Sequence, residues 1–130
     1  MACAVAGEDA YSIDRWNILQ ASRRAMKRAV EALSIAADFV YVDALSIDLP
    51  LPQKALIKGD ARCASIAAAS IVAKVARDEA LQAWHRVYPE YALDSNKGYG
   101  APRHYAGLDA CGPTAHHRFS FAPVAQGSLF

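Results

Sequence analysis

Residues 54–60 read KALIKGD, and residues 61–78, which follow at once, read ARCASIAAASIVAKVARD. The first four residues are a short run typical of a strand, and the Lys-Gly-Asp triplet ends it. The alanine-rich segment predicts a helix from about Ser65 to Tyr88, and Pro89 stops it because proline cannot continue a helix. Small side chains let such a helix lie close against a sheet. A strand, a turn and a helix in this order indicate an α/β domain.

Two further strands and two further helices are predicted around this unit. Residues 3–6 and 39–42 are short apolar runs that predict strands. Apolar residues recur at helical spacing from residue 13 to residue 33, with Ser12 as the predicted N-cap. Pro102 suits the first turn of a shorter helix. Three strands fall below the usual sheet of about four to six, so the pattern predicts an α/β layered fold that is incomplete.

Composition restricts the class of protein. Hydrophobic residues make up 54% of the chain and charged residues 21%, which is enough apolar material for a core. The net charge of +1 neither supports nor excludes nucleic-acid binding. Cys3, Cys63 and Cys111 lie far apart, so we predict reduced thiols and a cytoplasmic location. The adjacent His116 and His117 share no helical face, so we predict no zinc site there. No apolar run approaches membrane-spanning length, and we expect no membrane partner.

Two acids, Asp43 and Asp60, each directly follow a predicted strand or its terminal turn. Ligand sites of α/β sheets gather beyond the carboxyl ends of the strands. If the two strands are parallel neighbours, the carboxylates converge, although the linker is short for a helical crossover and leaves this open. Converging carboxylates repel each other, and a divalent cation removes that repulsion. The pair predicts a Mg²⁺ or Mn²⁺ site, but spacing alone favours the simpler interpretation of solvated caps or turn residues.

Six blocks of the sequence, in order, resemble the ribonuclease HII family. The most specific block is the Lys-Gly-Asp-Ala turn at residues 58–61 together with the following helix at residues 65–78. The other blocks are Ile13–Ile18 with its continuation at residues 25–30, Tyr41-Val42-Asp43, Tyr88-Pro89-Glu90-Tyr91, Lys97-Gly98-Tyr99-Gly100, and residues 112–121.

The resemblance implies a ribonuclease H-like fold and an endoribonuclease. Its substrates would be the RNA strand of RNA–DNA hybrids and single ribonucleotides embedded in duplex DNA. Asp43 and Asp60 match two of the family's four catalytic, metal-binding carboxylates, with Mn²⁺ or Mg²⁺ as cofactor. Tyr99 matches a tyrosine that packs against the sugar beside the ribonucleotide–deoxyribonucleotide junction. Lys58 is a candidate phosphate contact, a role that provides affinity without sequence choice. The resemblance also implies a monomer when the protein has its full length.

The chain resembles roughly the last two thirds of the family pattern. The family begins with a strand that carries an Asp-Glu pair and a glycine-arginine-glycine turn, and no such segment exists here. Residues 1–121 are therefore predicted to form a partial ribonuclease H-like domain without its N-terminal strands, and residues 122–130 a flexible tail. Two alternatives are an inactive fragment that only binds duplex nucleic acid, and a structural fragment that pairs with the missing strands in another chain.

Overall fold

The computed structural model describes residues 1–125, which divide into two compact units. The first unit contains residues 1–8 and 16–74, and the second contains residues 9–15 and the described chain from residue 75 onward. Helices and strands are mixed along the chain, as predicted. In order, the elements are α1 (Ala10–Trp16), α2 (Ile18–Glu31), β1 (Val40–Asp43), β2 (Gln53–Leu56), a 3₁₀ turn (Gly59–Ala61), α3 (Ala64–Val87), a second 3₁₀ turn (Pro89–Tyr91), α4 (Leu93–Asn96), α5 (Pro102–Cys111) and α6 (Ala122–Ala125).

The sheet of the first unit consists of β1 and β2, which run parallel. Its register pairs Val40 with Gln53 and Asp43 with Leu56. The side-chain amide of Gln53 accepts a hydrogen bond from the Ile47 N–H at 2.8 Å and donates one to the Ile47 carbonyl at 2.7 Å. This double contact organises the short connection between the strands, so the parallel direction that the sequence left open is reached without a helical crossover.

The predicted single helix over residues 13–33 is wrong, because the structure has two helices here. Asn17 adopts φ 67° and ψ 164°, and its Oδ1 accepts the Gln20 N–H at 3.0 Å, so it separates α1 from α2 and caps α2. The predicted cap Ser12 is also wrong, since Asp9 Oδ1 accepts the Ser12 N–H at 2.7 Å and the helix begins at Ala10. Asparagine tolerates a positive φ. The side chains of Asp9 and Asn17 each accept an N–H of the first turn of the helix that follows.

The strand predicted at residues 3–6 is not formed. Within residues 1–125 the sheet contains β1 and β2 alone. Exposure nevertheless alternates along this segment, with Cys3 and Val5 exposed and Ala4 and Ala6 half-buried. The alternation has the period of an extended chain, but a strand also needs a hydrogen-bonded neighbour, and the described part of the chain provides none.

The second unit has its own small core, formed by Leu81, Tyr91 and Leu93, with Tyr88 and Leu108 packed against them. Tyr91 is 1% exposed, and its hydroxyl donates to the Gly112 carbonyl at 2.6 Å, just beyond the end of α5. These contacts join the 3₁₀ turn at Pro89–Tyr91 to α5, the helix whose start at Pro102 the sequence predicted.

Helix α3 presents large apolar side chains to solvent. Ile71 is 64% exposed, Val75 50% and Val87 66%. Even so, no helix in the described part of the chain combines the length and the apolar character needed to cross a membrane. Of the predicted tail, residues 122–125 form the short helix α6, and residues 126–130 lie outside the described residues.

Candidate metal and nucleic-acid site

The structure places the two predicted acids at one edge of the parallel sheet. Asp43 is the last residue of β1, opposite Leu56 at the end of β2. The chain then enters the 3₁₀ turn Gly59–Ala61, which carries Asp60. The Gly59 N–H donates to Asp43 Oδ1 at 2.8 Å, so the turn is tied to the end of β1. Asp60, the next residue, therefore lies at the same edge as Asp43.

At Gly59 the chain approaches the sheet closely. Gly59 is buried, and a Cβ added to it would lie 2.6 Å from Ile66 Cδ1 and 3.2 Å from Asp43 Oδ1. Lys58, with φ 52°, turns the chain from β2 into this approach, and Ala44, with φ 60°, makes the corresponding turn after β1. A larger residue at position 59 would push on the Asp43 carboxylate itself.

The donor chemistry of this edge fits a hard divalent cation. Both acids are exposed, and each accepts one backbone N–H through Oδ1: Asp43 from Gly59, and Asp60 from Ala61 at 2.9 Å. A carboxylate has more lone pairs than one N–H uses, so both keep the capacity to bind a cation. Residues 1–125 contain no group of three or more His, Cys, Asp or Glu arranged to hold a metal ion. Two carboxylates suit a hard divalent cation that retains several waters.

Lys58 lies in the same turn, two residues before Asp60. Its side chain is exposed, and its backbone adopts the left-handed conformation just before the 3₁₀ turn. The positively charged Lys58 side chain, beside the two carboxylates, is suited to contact a nucleic-acid phosphate. The structure thus brings three of the four predicted site residues, Asp43, Lys58 and Asp60, to one edge of the first unit.

Tyr99, the fourth predicted residue, belongs to the second unit and lies in a tight turn after α4. Lys97 has φ 52° and Gly98 has φ 75°. The Tyr99 N–H donates to the Asn96 carbonyl at 2.9 Å, and the Gly98 N–H donates to Asn96 Oδ1 at 2.8 Å. The Tyr99 side chain is 67% exposed, so the turn presents an aromatic ring to solvent.

A cluster of rings is buried behind this turn. Asn96 Nδ2 donates to the Tyr91 carbonyl at 2.6 Å, and the ring centroids of Tyr91 and His117 are 4.9 Å apart. Burial lowers the pKa of His104. Burial also lowers the pKa of His117, and the neighbouring His104 lowers it further. The ring centroids of His104 and His117 are 5.3 Å apart, so these two rings pack together within the cluster.

One contact of the Tyr99 turn was missed by the sequence interpretation. Arg77 of α3 donates to the Lys97 carbonyl and lies over the Tyr99 ring. Arg77 stands 20 residues before Lys97, so no local spacing connects them. The signal that could have found it is an arginine on the long helix followed by a glycine-flanked tyrosine, which is too weak to identify a pair.

Comparison with known proteins identifies the family of this chain. The family model described as Ribonuclease HII matches residues 2–124. A ribonuclease HII from Solibacter usitatus (strain Ellin6076) is 55% identical over 130 residues, which covers 100% of this chain and 57% of that protein. A ribonuclease HII from Ligilactobacillus salivarius (strain UCC118) is 50% identical over 126 residues, which covers 97% of this chain and 49% of that protein. The chain spans about half the length of these relatives.

A solved structure is similar in fold. The crystal structure of the ribonuclease H2 from Pyrococcus horikoshii OT3 matches with a TM-score of 0.77 at 20% identity, over 92% of this chain and 65% of that chain. At this identity the likeness concerns the fold alone, and it confirms the predicted ribonuclease H-like fold in incomplete form. The family model covers nearly the whole described chain, and the chain belongs to the ribonuclease HII family.

Proposed function

We propose that this chain carries two metal-binding carboxylates of an endoribonuclease. Its substrates are the RNA strand of RNA–DNA hybrids and single ribonucleotides embedded in duplex DNA. The observation that carries the proposal is the hydrogen bond from the Gly59 N–H to Asp43 Oδ1, because it brings both strand-end acids to one edge of the sheet. Membership of the ribonuclease HII family supports the reaction class.

Asp43 and Asp60 are the residues that would hold Mn²⁺ or Mg²⁺. A bound divalent cation supplies an activated water at neutral pH and stabilises the leaving oxygen of a phosphodiester. The chain contributes the orientation of the ligands. The Gly59 N–H holds one oxygen of Asp43, and the Ala61 N–H holds one oxygen of Asp60. Both donors are backbone groups of one short turn, so the two carboxylates are oriented by the same element.

Lys58 and Tyr99 are the proposed substrate contacts. Lys58 would neutralise a phosphate beside the acids, and this contact adds affinity that falls as salt rises. Tyr99 would pack against the sugar at the ribonucleotide–deoxyribonucleotide junction, where the 2′-hydroxyl distinguishes RNA from DNA. The exposed positions of both side chains support these roles.

The cellular setting follows from the same proposal. Cys3, Cys63 and Cys111 are free thiols, which fits a reducing compartment, and we infer a cytoplasmic enzyme with nucleic acid as its partner. We also infer a monomer for the full-length protein.

The test is cleavage of a DNA duplex that contains one ribonucleotide, in Mn²⁺ or Mg²⁺. A cut beside the ribonucleotide that Asp43→Asn and Asp60→Asn abolish would show that the 130-residue chain assembles a working site with these two acids. No cut by any of the proteins would show that the chain is a partial enzyme that lacks the family's other two carboxylates. Asp38→Asn is the matched control, because it removes an exposed carboxylate of the same unit away from the sheet edge. Mn²⁺ binding, measured by the loss of the free-ion electron paramagnetic resonance signal, should weaken in the first two variants and not in the control.

The outcomes separate the alternatives. Cleavage that survives both substitutions would refute the assignment of the acids. Salt-sensitive duplex binding without cleavage would support a fragment that only binds nucleic acid. Neither binding nor cleavage, together with self-association, would support a structural fragment that pairs with strands of another chain.

A further inference from the structure

A single side chain holds the Tyr99 turn in two ways. Arg77 Nη2 donates to the Lys97 carbonyl at 2.7 Å. The Arg77 guanidinium carbon also lies 5.1 Å from the centroid of the Tyr99 ring, within the range of a cation–π contact. One arginine therefore contacts both the backbone that precedes Tyr99 and the ring itself.

The turn needs such support because of its backbone. Lys97 is a non-glycine residue at φ 52°, and Gly98 follows it at φ 75°. A left-handed backbone conformation is energetically unfavourable for any residue that has a side chain. It persists where neighbouring groups hold it in place. Asn96 holds the turn on one side. Its Oδ1 accepts a hydrogen bond from the Gly98 N–H at 2.8 Å, and its Nδ2 donates one to the buried Tyr91 carbonyl at 2.6 Å. Arg77 holds it on the other side, from α3.

The ring that results is exposed but not unrestrained. Tyr99 is 67% exposed, while the core residue that anchors Asn96, Tyr91, is 1% exposed. An exposed tyrosine without contacts samples several rotamers, and ordering it on binding costs free energy. The Arg77 guanidinium reduces that freedom before any ligand arrives.

We propose that Arg77 is a positioning residue that presents the Tyr99 ring to the nucleic-acid sugar. This inference rests on the proposed function, in which Tyr99 contacts the junction. The planar guanidinium of arginine donates in its plane and stacks through its face, so it serves both contacts at once. The compact ammonium of lysine keeps the charge but cannot reproduce this pair of contacts. Charge and positioning can therefore be separated by experiment.

The test measures binding of two labelled duplexes by fluorescence anisotropy, one with a single ribonucleotide and one of DNA only. Ca²⁺ replaces the catalytic metal. The variants of the 130-residue chain are Arg77→Lys, Tyr99→Ala and the double variant. The control is Arg86→Lys, which makes the same change at an exposed position on the same helix. We expect Arg77→Lys to reduce the preference for the ribonucleotide duplex by roughly threefold to tenfold. Tyr99→Ala should do the same, the double variant should be no worse, and the control should be unchanged.

A second measurement does not depend on nucleic acid. In proton NMR spectra, the side-chain protons of Arg77 should be shifted upfield by the Tyr99 ring, and Tyr99→Ala should remove the shift. Its absence from the wild-type chain would overturn the inference.

The remaining outcomes distinguish this inference from the proposed function. If Tyr99→Ala lowers the preference and Arg77→Lys does not, charge alone suffices, the positioning role is refuted and the proposed function stands. Additive losses in the double variant would also refute it, since residues that act through each other couple in such a cycle. If the wild-type chain binds both duplexes equally, the proposed substrate role of Tyr99 fails, and the inference fails with it.

Discussion

Gly107→Ala is expected to destabilise the second unit, although the same substitution in an ordinary helix is stabilising. Gly107 is buried in the middle of α5. A Cβ at this position would overlap the Glu90 carbonyl oxygen and lie 3.0 Å from the Glu90 carbonyl carbon and 3.2 Å from Tyr91 Cα. All three are backbone atoms of the 3₁₀ turn, so no side-chain rotation relieves the contact.

Two effects of known size oppose each other. Alanine is better than glycine in a helix interior by about 1 kcal/mol. Forcing an extra methyl into a packed contact costs about 1–3 kcal/mol, and the upper end applies where only backbone can move. Moving α5 away would also loosen the packing of Leu108 against the core that contains Tyr91. We expect a net loss of about 2 kcal/mol in the free energy of unfolding, as the difference between these two terms.

The assay is urea unfolding followed by tryptophan fluorescence in a Trp16→Phe background. The remaining tryptophan, Trp84, stacks on His116 with ring centroids 4.3 Å apart and reports on the second unit. With a slope of about 2 kcal/mol per molar urea, the midpoint should fall by about 1 M.

Two variants serve as controls for this prediction. Ala106→Gly, at an exposed position of the same helix, should cost about 1 kcal/mol and calibrates the helix-propensity effect. Gly100→Ala also creates an overlap, but with the end of the Tyr105 side chain, which can swing away, so its effect should stay within about 0.5 kcal/mol. A higher urea midpoint for Gly107→Ala would refute the reasoning, because helix propensity would then outweigh the backbone contact.

Three further predictions concern the site and its surroundings. Gly59→Ala should weaken Mn²⁺ binding in a titration, because the new Cβ would press on Ile66 and the Asp43 carboxylate; unchanged affinity would contradict the site geometry. Burial lowers the pKa of His104, so the contribution of this residue to stability is complete above pH 6.5 and is lost as pH falls below that value. The urea midpoint should therefore be lower at pH 5 than at pH 7.5, and the difference should be smaller in His104→Gln. Asp14→Asn should speed hydrogen exchange at residues 119–120, whose N–H groups donate to Asp14 at 2.6 and 3.1 Å, and equal rates would show that this contact does not hold the turn.

Much of the element order could be read from the chain because it depends on near neighbours. The strand before Asp43, the helix stopped at Pro89 and the helix begun at Pro102 all appear with small shifts of their ends. The same local logic failed over residues 13–33, where apolar spacing continues through Asn17 although the backbone breaks there. Hydrophobic spacing reports which side chains face inward, and it does not report the φ angle of one polar residue.

The candidate site was predicted in part for the same reason. Asp43 and Asp60 were recognisable because each directly follows a strand or its terminal turn and sits in a family motif. Arg77 was not, because its partner, the turn that carries Tyr99, lies 20 or more residues along the chain and becomes its neighbour only on folding.

The sequence by itself determined the family and the α/β class, and it predicted Asp43 and Asp60 as site residues, since motifs, chain breakers and apolar periods are properties of consecutive residues. Only the tertiary structure decided that β1 and β2 run parallel and that the Gly59 N–H binds Asp43 across 16 residues of chain. It also left residues 3–6 without a strand. The physical reason is common to all three: strand direction, strand formation and a long-range hydrogen bond each depend on which distant backbone groups meet, and no local pattern specifies that partner.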